Sequence, residues 1–180
     1  MDKSSLGLVQ VFWGNGKGKT TSVIGTALRA LDNGYSVHLV QFMKNGTGNP
    51  RLAMTGEVRA LTKFEGFSFN RFGAEKWLIG KPDEEHLKSA SDALEHLKDS
   101  FNKHDIIIAD EILYAIQLKL LSEEQVMELI KSKPEKQELW LTGSHEAFPK
   151  IFELADLVTE IKKIKHPYDN GIKARKGIEY

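Results

Sequence analysis

The feature that most constrains this chain is a glycine-rich segment, residues 14–20, that reads Gly-Asn-Gly-Lys-Gly-Lys-Thr. It follows a run of strand-forming residues at 8–13 and precedes apolar residues at helical spacing over 20–31. A glycine loop between a strand and a helix lets backbone N–H groups turn inward, and the helix adds the positive end of its dipole. The segment therefore predicts a loop that binds the phosphates of a nucleotide.

Two side chains of this loop suit a magnesium nucleoside triphosphate. Lys19 can reach the phosphates, and Thr20 can offer its hydroxyl to Mg²⁺. The usual loop has four residues between its first glycine and Gly-Lys-Thr, whereas here there are three and Trp13 stands where the earlier glycine would be. We therefore expect a tighter loop with a shifted phosphate register. A glycine-rich turn that binds nothing is the alternative, but this spacing arises by chance in only about 1% of such chains.

The rest of the chain alternates between strand and helix patterns. Strands are predicted at 36–42, 58–61, 106–109, 138–142 and 157–161, and helices at 83–103, 122–131 and 150–155. Ser122 and Gln125 can form a capping box at the start of the second of these helices. Residues 43–56 and the aromatic segment 64–72 read as loops, and the basic tail 162–180 has no assignable period. We expect one domain over residues 1–180, a three-layer P-loop NTPase-like (RecA-like) α/β fold. Its central sheet should be mostly parallel, with helices on both faces.

An acidic pair, Asp110-Glu111, follows the apolar run at 106–109. A buried strand that delivers a carboxylate to magnesium has this form, known as a Walker B element. Because parallel strands place their carboxyl ends at one edge of the sheet, the pair and the glycine loop should lie together. Only one of the two carboxylates is expected to face the metal directly. The alternative is a solvated acidic pair that starts the next helix.

Composition narrows the class of protein. The chain has no cysteine, which excludes disulfides, cysteine-ligated iron–sulfur clusters and a thiol nucleophile. Basic and acidic residues both number 25, and this neutrality argues against a sequence-independent nucleic-acid binder. The N-terminus lacks the apolar stretch of a signal peptide, and no apolar run approaches the ~20 residues of a membrane span. We expect a cytoplasmic protein with neither a nucleic-acid nor a membrane partner.

With these motifs placed, the chain resembles the P-loop type of ATP:cob(I)alamin (corrinoid) adenosyltransferases. The resemblance rests on residues 12–21, 40–44, 66–69, 110–114, 141–143, 153–156 and 165–180. The shortened glycine loop is itself a trait of that family. The resemblance implies that cob(I)alamin attacks the 5′ carbon of ATP and that triphosphate leaves, with ATP bound in a sense reversed relative to most P-loop proteins. It also implies a reduced flavin carrier as electron donor and a homodimer.

The resemblance also implies roles for individual residues. Nucleotide-binding positions are Gly14, Asn15, Gly16, Lys17, Gly18, Lys19, Thr20, Thr21 and Arg29. Mg²⁺ (or Mn²⁺) would enter with ATP and be held by Thr20 and Glu111, with Asp110 acting behind them. Lys19 and Lys17 would stabilise the charge that grows on the departing triphosphate. For Arg29, a solvated helix arginine is the alternative.

The same resemblance implies a role for two residues of the aromatic segment 64–72. Phe67 and Phe69 match an aromatic pair that wedges under the corrin of the acceptor, although the second position is commonly Trp in that family. Without the resemblance, these aromatics indicate core packing. The family often has an arginine after Thr-Gly at 142–143, whereas this chain has Ser144 and His145, so that role does not transfer.

Two rival interpretations come from other classes of protein. A P-loop kinase or NTPase that cleaves at the γ-phosphate would use the same loop and Asp110. A RecA-like nucleotide-dependent binding or assembly module could stack Phe67, Phe69 and Phe72 on bases. The histidines His38, His86, His96 and His104 show no ligand spacing, and we expect them to be exposed or satisfied by neighbours.

Overall fold

The structure is a computed structural model that describes residues 3, 5–44, 54–76 and 78–178. The strands are β1 Val9–Trp13, β2 Val37–Gln41, β3 Phe67–Arg71, β4 Ile106–Asp110, β5 Glu138–Thr142 and β6 Leu157–Glu160. The helices are α1 Lys19–Asp32, α2 Gly56–Leu61, α3 Glu84–Asp99, α4 Ile112–Gln117, α5 Glu123–Ser132 and α6 Pro149–Phe152, followed by a 3₁₀ turn, Pro167–Asn170. In this described part of the chain, no helix is long and apolar enough to cross a membrane.

The strands form one six-stranded sheet in the order β3-β2-β4-β5-β1-β6, and every neighbouring pair is parallel. Parallel strands need helical crossovers that cover both faces, so the strands themselves become apolar on both sides. β4 illustrates this: Ile106 and Ile108 pack on one face, while Ile107 and Ala109 pack on the other. Helices α1 and α2 cover the first face, and α3 to α6 cover the second. The three-layer α/β prediction is thereby confirmed.

Most elements lie where the sequence pattern puts them, and β5 matches its predicted range. The capping box of α5 is also confirmed, because Ser122 Oγ accepts from the Gln125 N–H at 3.2 Å and Gln125 Oε1 accepts from the Ser122 N–H at 2.8 Å. That residues 1–180 make a single domain stays a prediction. Residues 45–53 of the predicted loop and 179–180 of the tail lie outside the described residues.

Two sequence predictions are wrong. The strand expected at 58–61 is helix α2, because Val58 and Leu61 bury one helical face while the residues between them are exposed. The aromatic loop expected at 64–72 contains strand β3, in which Phe67 and Phe69 point to one side of the sheet. A four-residue apolar pattern and a glycine-flanked aromatic run do not carry enough periodicity to distinguish these states.

Strand order determines what meets at the carboxyl edge of the sheet. Since β5 lies between β1 and β4, the loop after β1 and the acidic pair after β4 are about 10 Å apart across the sheet. The first turn of α1 spans that gap. Of the five non-glycine residues with positive φ in the described ranges, Met43, Glu111 and Ser144 follow the ends of β2, β4 and β5. Backbone strain of this kind concentrates at functional sites, which points to the carboxyl edge of the sheet as the place of the functional site.

Candidate active site

The glycine loop is fixed against the segment that follows β6. Gly14 donates its N–H to the Ser144 carbonyl at 3.0 Å, and Gly16 donates to the Ile161 carbonyl at 2.7 Å. A Cβ on Gly14 would lie 2.4 Å from the Ile161 carbonyl oxygen, and one on Gly16 would lie 2.8 Å from it. A Cβ on Gly18 would meet open space. Gly14 and Gly16 therefore serve close backbone packing, and the open side of the loop lies at Gly18 and the start of α1.

Lys19 occupies the concave side of this loop. Its Nζ donates to the Gly14 carbonyl at 2.7 Å and to the Gly16 carbonyl at 3.0 Å. Burial lowers the pKa of Lys19, while the nearby carboxylates of Glu111 and Asp110 act in the opposite direction. The first-turn N–H groups of any helix lack intrahelical partners, so the start of α1 offers donors beside this ammonium. A phosphate at this position would meet both.

Asp110 joins the glycine loop to the sheet. It is fully buried, and its Oδ1 accepts from the Thr20 hydroxyl at 2.8 Å and from the Thr142 hydroxyl at 2.7 Å. Its Oδ2 accepts from the Gln41 side-chain amide at 2.9 Å. Three donors from three different elements thus hold one carboxylate. Because the Thr20 hydroxyl donates its hydrogen bond to Asp110, the lone pairs of the Thr20 oxygen are available to a cation.

Glu111 sits differently from its neighbour. Its backbone is left-handed, with φ of 67°, and its N–H donates to the Thr142 hydroxyl at 2.9 Å. Its side chain is 22% exposed, and Oε1 lies 3.8 Å from Lys44 Nζ. Burial raises the pKa of Glu111, and Asp110 adds to this, while Lys44 and Lys19 oppose it. In the acidic pair, the Asp110 carboxylate is therefore buried and hydrogen-bonded at both oxygens, whereas the Glu111 carboxylate is partly exposed at the carboxyl edge of the sheet.

The donor set fits a magnesium ion that arrives with its nucleotide. Thr20, Asp110 and Glu111 supply hard oxygen atoms, which Mg²⁺ and Mn²⁺ prefer. Among the described residues, no group of three or more histidine, aspartate or glutamate side chains is arranged to hold a metal alone. Magnesium in triphosphate sites takes one or two protein ligands, phosphate oxygens and water, so a fuller protein cage is not required.

Of the other predicted nucleotide-binding residues, two contact the tail and two are exposed on α1. Asn15 and Lys17 hold the tail onto the loop, because Asn15 Oδ1 accepts from the Lys163 N–H at 2.8 Å and Lys17 Nζ donates to the Ile178 carbonyl at 3.2 Å. Thr21 is exposed on the first turn of α1. Arg29 is exposed in the last turn, ten residues after Lys19 and so about 15 Å along the helix axis. The structure does not bring Arg29 to the loop.

Phe67 and Phe69 are brought together, but not to the loop. Their ring centroids are 6.2 Å apart with 17° between the ring planes, on the face of edge strand β3 that α1 and α2 cover. Both are partly buried against that apolar cluster. Phe67 lies four residues before Arg71 at the carboxyl end of β3, about 13 Å along the strand. Their role toward a corrin stays a prediction.

Three histidines gather on the opposite face of the sheet. His38 Nδ1 lies 2.7 Å from Ser68 Oγ, and His38 Nε2 lies 3.0 Å from His96 Nε2. The His38 ring stacks on His104, with centroids 4.7 Å apart. Burial, followed by the neighbouring His104, His96 and Lys103, lowers the pKa of His38 to about 4. This cluster packs within the fold and takes no part in the site.

Sequence reasoning missed three site residues: Gln41, Thr142 and Lys44. Gln41 and Thr142 are the final residues of buried strands, and Lys44 follows one closely. A polar residue that ends an apolar strand at the ligand-binding edge is a usable signal. Its partner, however, depends on strand order, which the sequence pattern alone does not reveal.

Comparison with known proteins identifies the family. The sequence model described as ATP:corrinoid adenosyltransferase BtuR/CobO/CobP matches residues 5–180. The "Corrinoid adenosyltransferase" of Escherichia coli K12 is 34% identical over 176 residues, covering 97% of this chain and 86% of the relative. "Corrinoid adenosyltransferase CobA" of Salmonella typhimurium is 33% identical, with the same shares covered. A Pseudomonas aeruginosa "Corrinoid adenosyltransferase" is 32% identical over 97% of this chain and 84% of its own length. The chain belongs to the ATP:corrinoid adenosyltransferase BtuR/CobO/CobP family.

Proposed function

We propose that this protein transfers the 5′-deoxyadenosyl group of ATP to the cobalt of a reduced corrinoid and releases triphosphate. The observation that carries this proposal is the family match, which extends over residues 5–180 and includes both the glycine loop and the acidic pair. The geometry of the loop, with Lys19 in its concavity and Thr20 bonded to Asp110, supports the nucleotide half of the reaction.

The reaction forms a cobalt–carbon bond and breaks the bond between C5′ and the bridging oxygen of the α-phosphate. Both electrons of the new bond come from Co(I), and the triphosphate leaves with the electron pair of the broken bond. The protein therefore needs no nucleophile of its own, which agrees with a chain without cysteine. Its tasks are to orient C5′ and to stabilise the charge that develops on the leaving group.

The residues of the edge suit these tasks. Lys19 exchanges its two loop carbonyls for triphosphate oxygens, and the first-turn N–H groups of α1 donate to the same chain of phosphates. Thr20 and Glu111 would hold Mg²⁺ (or Mn²⁺), with Asp110 orienting the Thr20 hydroxyl. When bound there, the cation would supply positive charge against the triphosphate. Gln41 and Thr142 fix Asp110 in turn, so the carboxylate does not have to reorganise during the reaction.

Other parts of the proposal rest on the family resemblance. We propose that Phe67 and Phe69 contact the corrin and displace its lower axial ligand, which makes Co(II) easier to reduce. Their adjacent, partly exposed rings on an edge strand support this. The reduced flavin carrier, the homodimer and the cytoplasmic location stay predictions.

The test identifies the phosphorus product. The purified protein is incubated with Mg·ATP and chemically reduced corrinoid, and the products are resolved by ³¹P NMR. Adenosyl transfer yields inorganic triphosphate in a one-to-one ratio with a light-sensitive alkylcobalt product. Release of ADP and phosphate without cobalt alkylation would instead support a kinase or NTPase. Lys19→Ala serves as the matched inactive control.

A further inference from the structure

Lys44 is a second cation at the edge of the sheet that the proposed mechanism leaves without a task. It is the last residue of segment 40–44, one of the segments that carry the family resemblance, and it lies just after the carboxyl end of β2. Its Nζ lies 3.8 Å from Glu111 Oε1, and its side chain is 41% exposed. The ammonium therefore faces both the acidic pair and the open side of the site.

The backbone before Lys44 is held by the site itself. Phe42 donates its backbone N–H to the Asp110 carbonyl at 3.0 Å, and Lys44 donates its backbone N–H to the Phe72 carbonyl at 2.9 Å. Between them, Met43 adopts a left-handed conformation with φ of 57°. Non-glycine residues keep such a conformation only where their surroundings enforce it. The position of Lys44 is thus imposed by two anchors and a strained residue, unlike that of an ordinary surface lysine.

Lys44 and Lys19 approach Glu111 from different sides. In the sheet order β2-β4-β5-β1, Glu111 follows β4, Lys44 follows β2 on one side, and Lys19 comes from the β1 loop on the other. Both ammonium groups interact electrostatically with Glu111. A triphosphate that lies along this edge would pass between two cations with the carboxylate beside it.

We propose that Lys44 is a second triphosphate-binding residue, whose ammonium pairs with Glu111 in the free protein and with a triphosphate oxygen when nucleotide binds. This inference rests on the proposed function, because it names a further contact of the same site. The Lys44 ammonium lies 3.8 Å from Glu111 Oε1, which is longer than a hydrogen bond, so a triphosphate oxygen can take this ammonium whether or not a cation draws Glu111 away. The lysine then stabilises the leaving group from the side opposite Lys19.

The test is binding of inorganic triphosphate, measured by isothermal titration calorimetry with excess Mg²⁺ and again in EDTA. Lys44→Ala should weaken binding about tenfold or more under both conditions, because a hydrogen bond to a charged group is lost. Lys44→Arg should recover most of the affinity. The matched control is Lys63→Ala, which alters an exposed lysine in the same β2–β3 connection and should bind as the unaltered protein does.

Two results would overturn the inference. Unchanged triphosphate affinity in Lys44→Ala under both conditions would mean that the ammonium does not contact the ligand. A loss seen only with Mg²⁺ would mean that Lys44 acts through Glu111 and the cation. The phosphorus-product assay tests the proposed function separately, because a protein that releases ADP from ATP could still bind triphosphate through Lys44.

Discussion

The three glycines of the loop give a prediction in which strain and crowding can be separated. Gly18 has φ of +122° but open space where a Cβ would stand. Gly16 does not have a left-handed φ, yet a Cβ on it would lie 2.8 Å from the Ile161 carbonyl oxygen. Gly14 combines both, with φ of +112° and a Cβ position 2.4 Å from the same oxygen. Alanine at each position therefore isolates strain, crowding, and their sum.

The expected losses follow from these contacts. A strained backbone residue costs about 1–3 kcal/mol, so Gly18→Ala should lower the free energy of unfolding by that amount. Crowding against backbone in a packed region costs about 1–3 kcal/mol, which is the expectation for Gly16→Ala. Gly14→Ala carries both terms and should lose roughly 2–6 kcal/mol. The Ile161 carbonyl cannot rotate away easily, because it accepts the Gly16 N–H at 2.7 Å.

Urea denaturation followed by circular dichroism measures the three free energies of unfolding. If Gly14→Ala proves too unstable to purify, the other two variants still test the separation. Gly18→Ala should also weaken triphosphate binding more than Gly16→Ala does, because only Gly18 borders the open side of the loop. A Gly14→Ala loss no larger than that of Gly18→Ala, or a Gly16→Ala variant without any loss, would refute the packing of the loop against Ile161.

Three further predictions concern catalysis, the corrin and pH. Lys19→Ala should lower turnover at least about 100-fold with an unchanged circular dichroism spectrum, since preorganised charge at the leaving group is lost; near-normal turnover would remove Lys19 from the mechanism. Phe67→Ala should impair adenosylation from Co(II) far more than from chemically reduced Co(I), and equal losses in the two assays would contradict the corrin contact. The His38 pKa of about 4 means that the unfolded chain, with a usual value of 6.5, takes up the proton first as pH falls. The free energy of unfolding should therefore drop by about 2 kcal/mol between pH 7.5 and 5.

The His38→Gln variant controls the pH prediction. It removes the titrating group, so its free energy of unfolding should change less over the same pH range than that of the unaltered protein. Burial also lowers the pKa values of His96 and His104, so part of the pH dependence should persist in the variant. A stability that stays level between pH 7.5 and 5 in the unaltered protein would contradict a neutral, buried His38.

The sequence predicts the parts of the fold that local signals specify. The glycine loop, the buried strands and the Ser122 capping box depend on residues within a few positions of one another. Strand β3 and helix α2 were missed because Phe67–Arg71 and Gly56–Leu61 are short and acquire their faces only by packing on the sheet. In such segments, tertiary contacts outweigh intrinsic preference.

The site shows the same division. Thr20 and the acidic pair could be proposed from motifs, whereas the Gln41 and Thr142 hydrogen bonds to Asp110 join residues 69 and 32 positions apart. The attachment of the tail to the loop joins Lys17 to Ile178, which are 161 positions apart. Only the order of the strands brings these groups together, and a linear pattern does not encode that order directly.

The central claim is that the bond between C5′ and oxygen breaks, and a position-specific isotope label tests it most directly. ATP that carries ¹⁸O in the bridge between C5′ and the α-phosphorus is reacted with the protein and reduced corrinoid, and the products are analysed by mass spectrometry. Adenosyl transfer predicts that all of the label leaves with inorganic triphosphate and that none stays with the adenosyl product. Label that stays with the nucleoside, or that is found in ADP, would contradict the account.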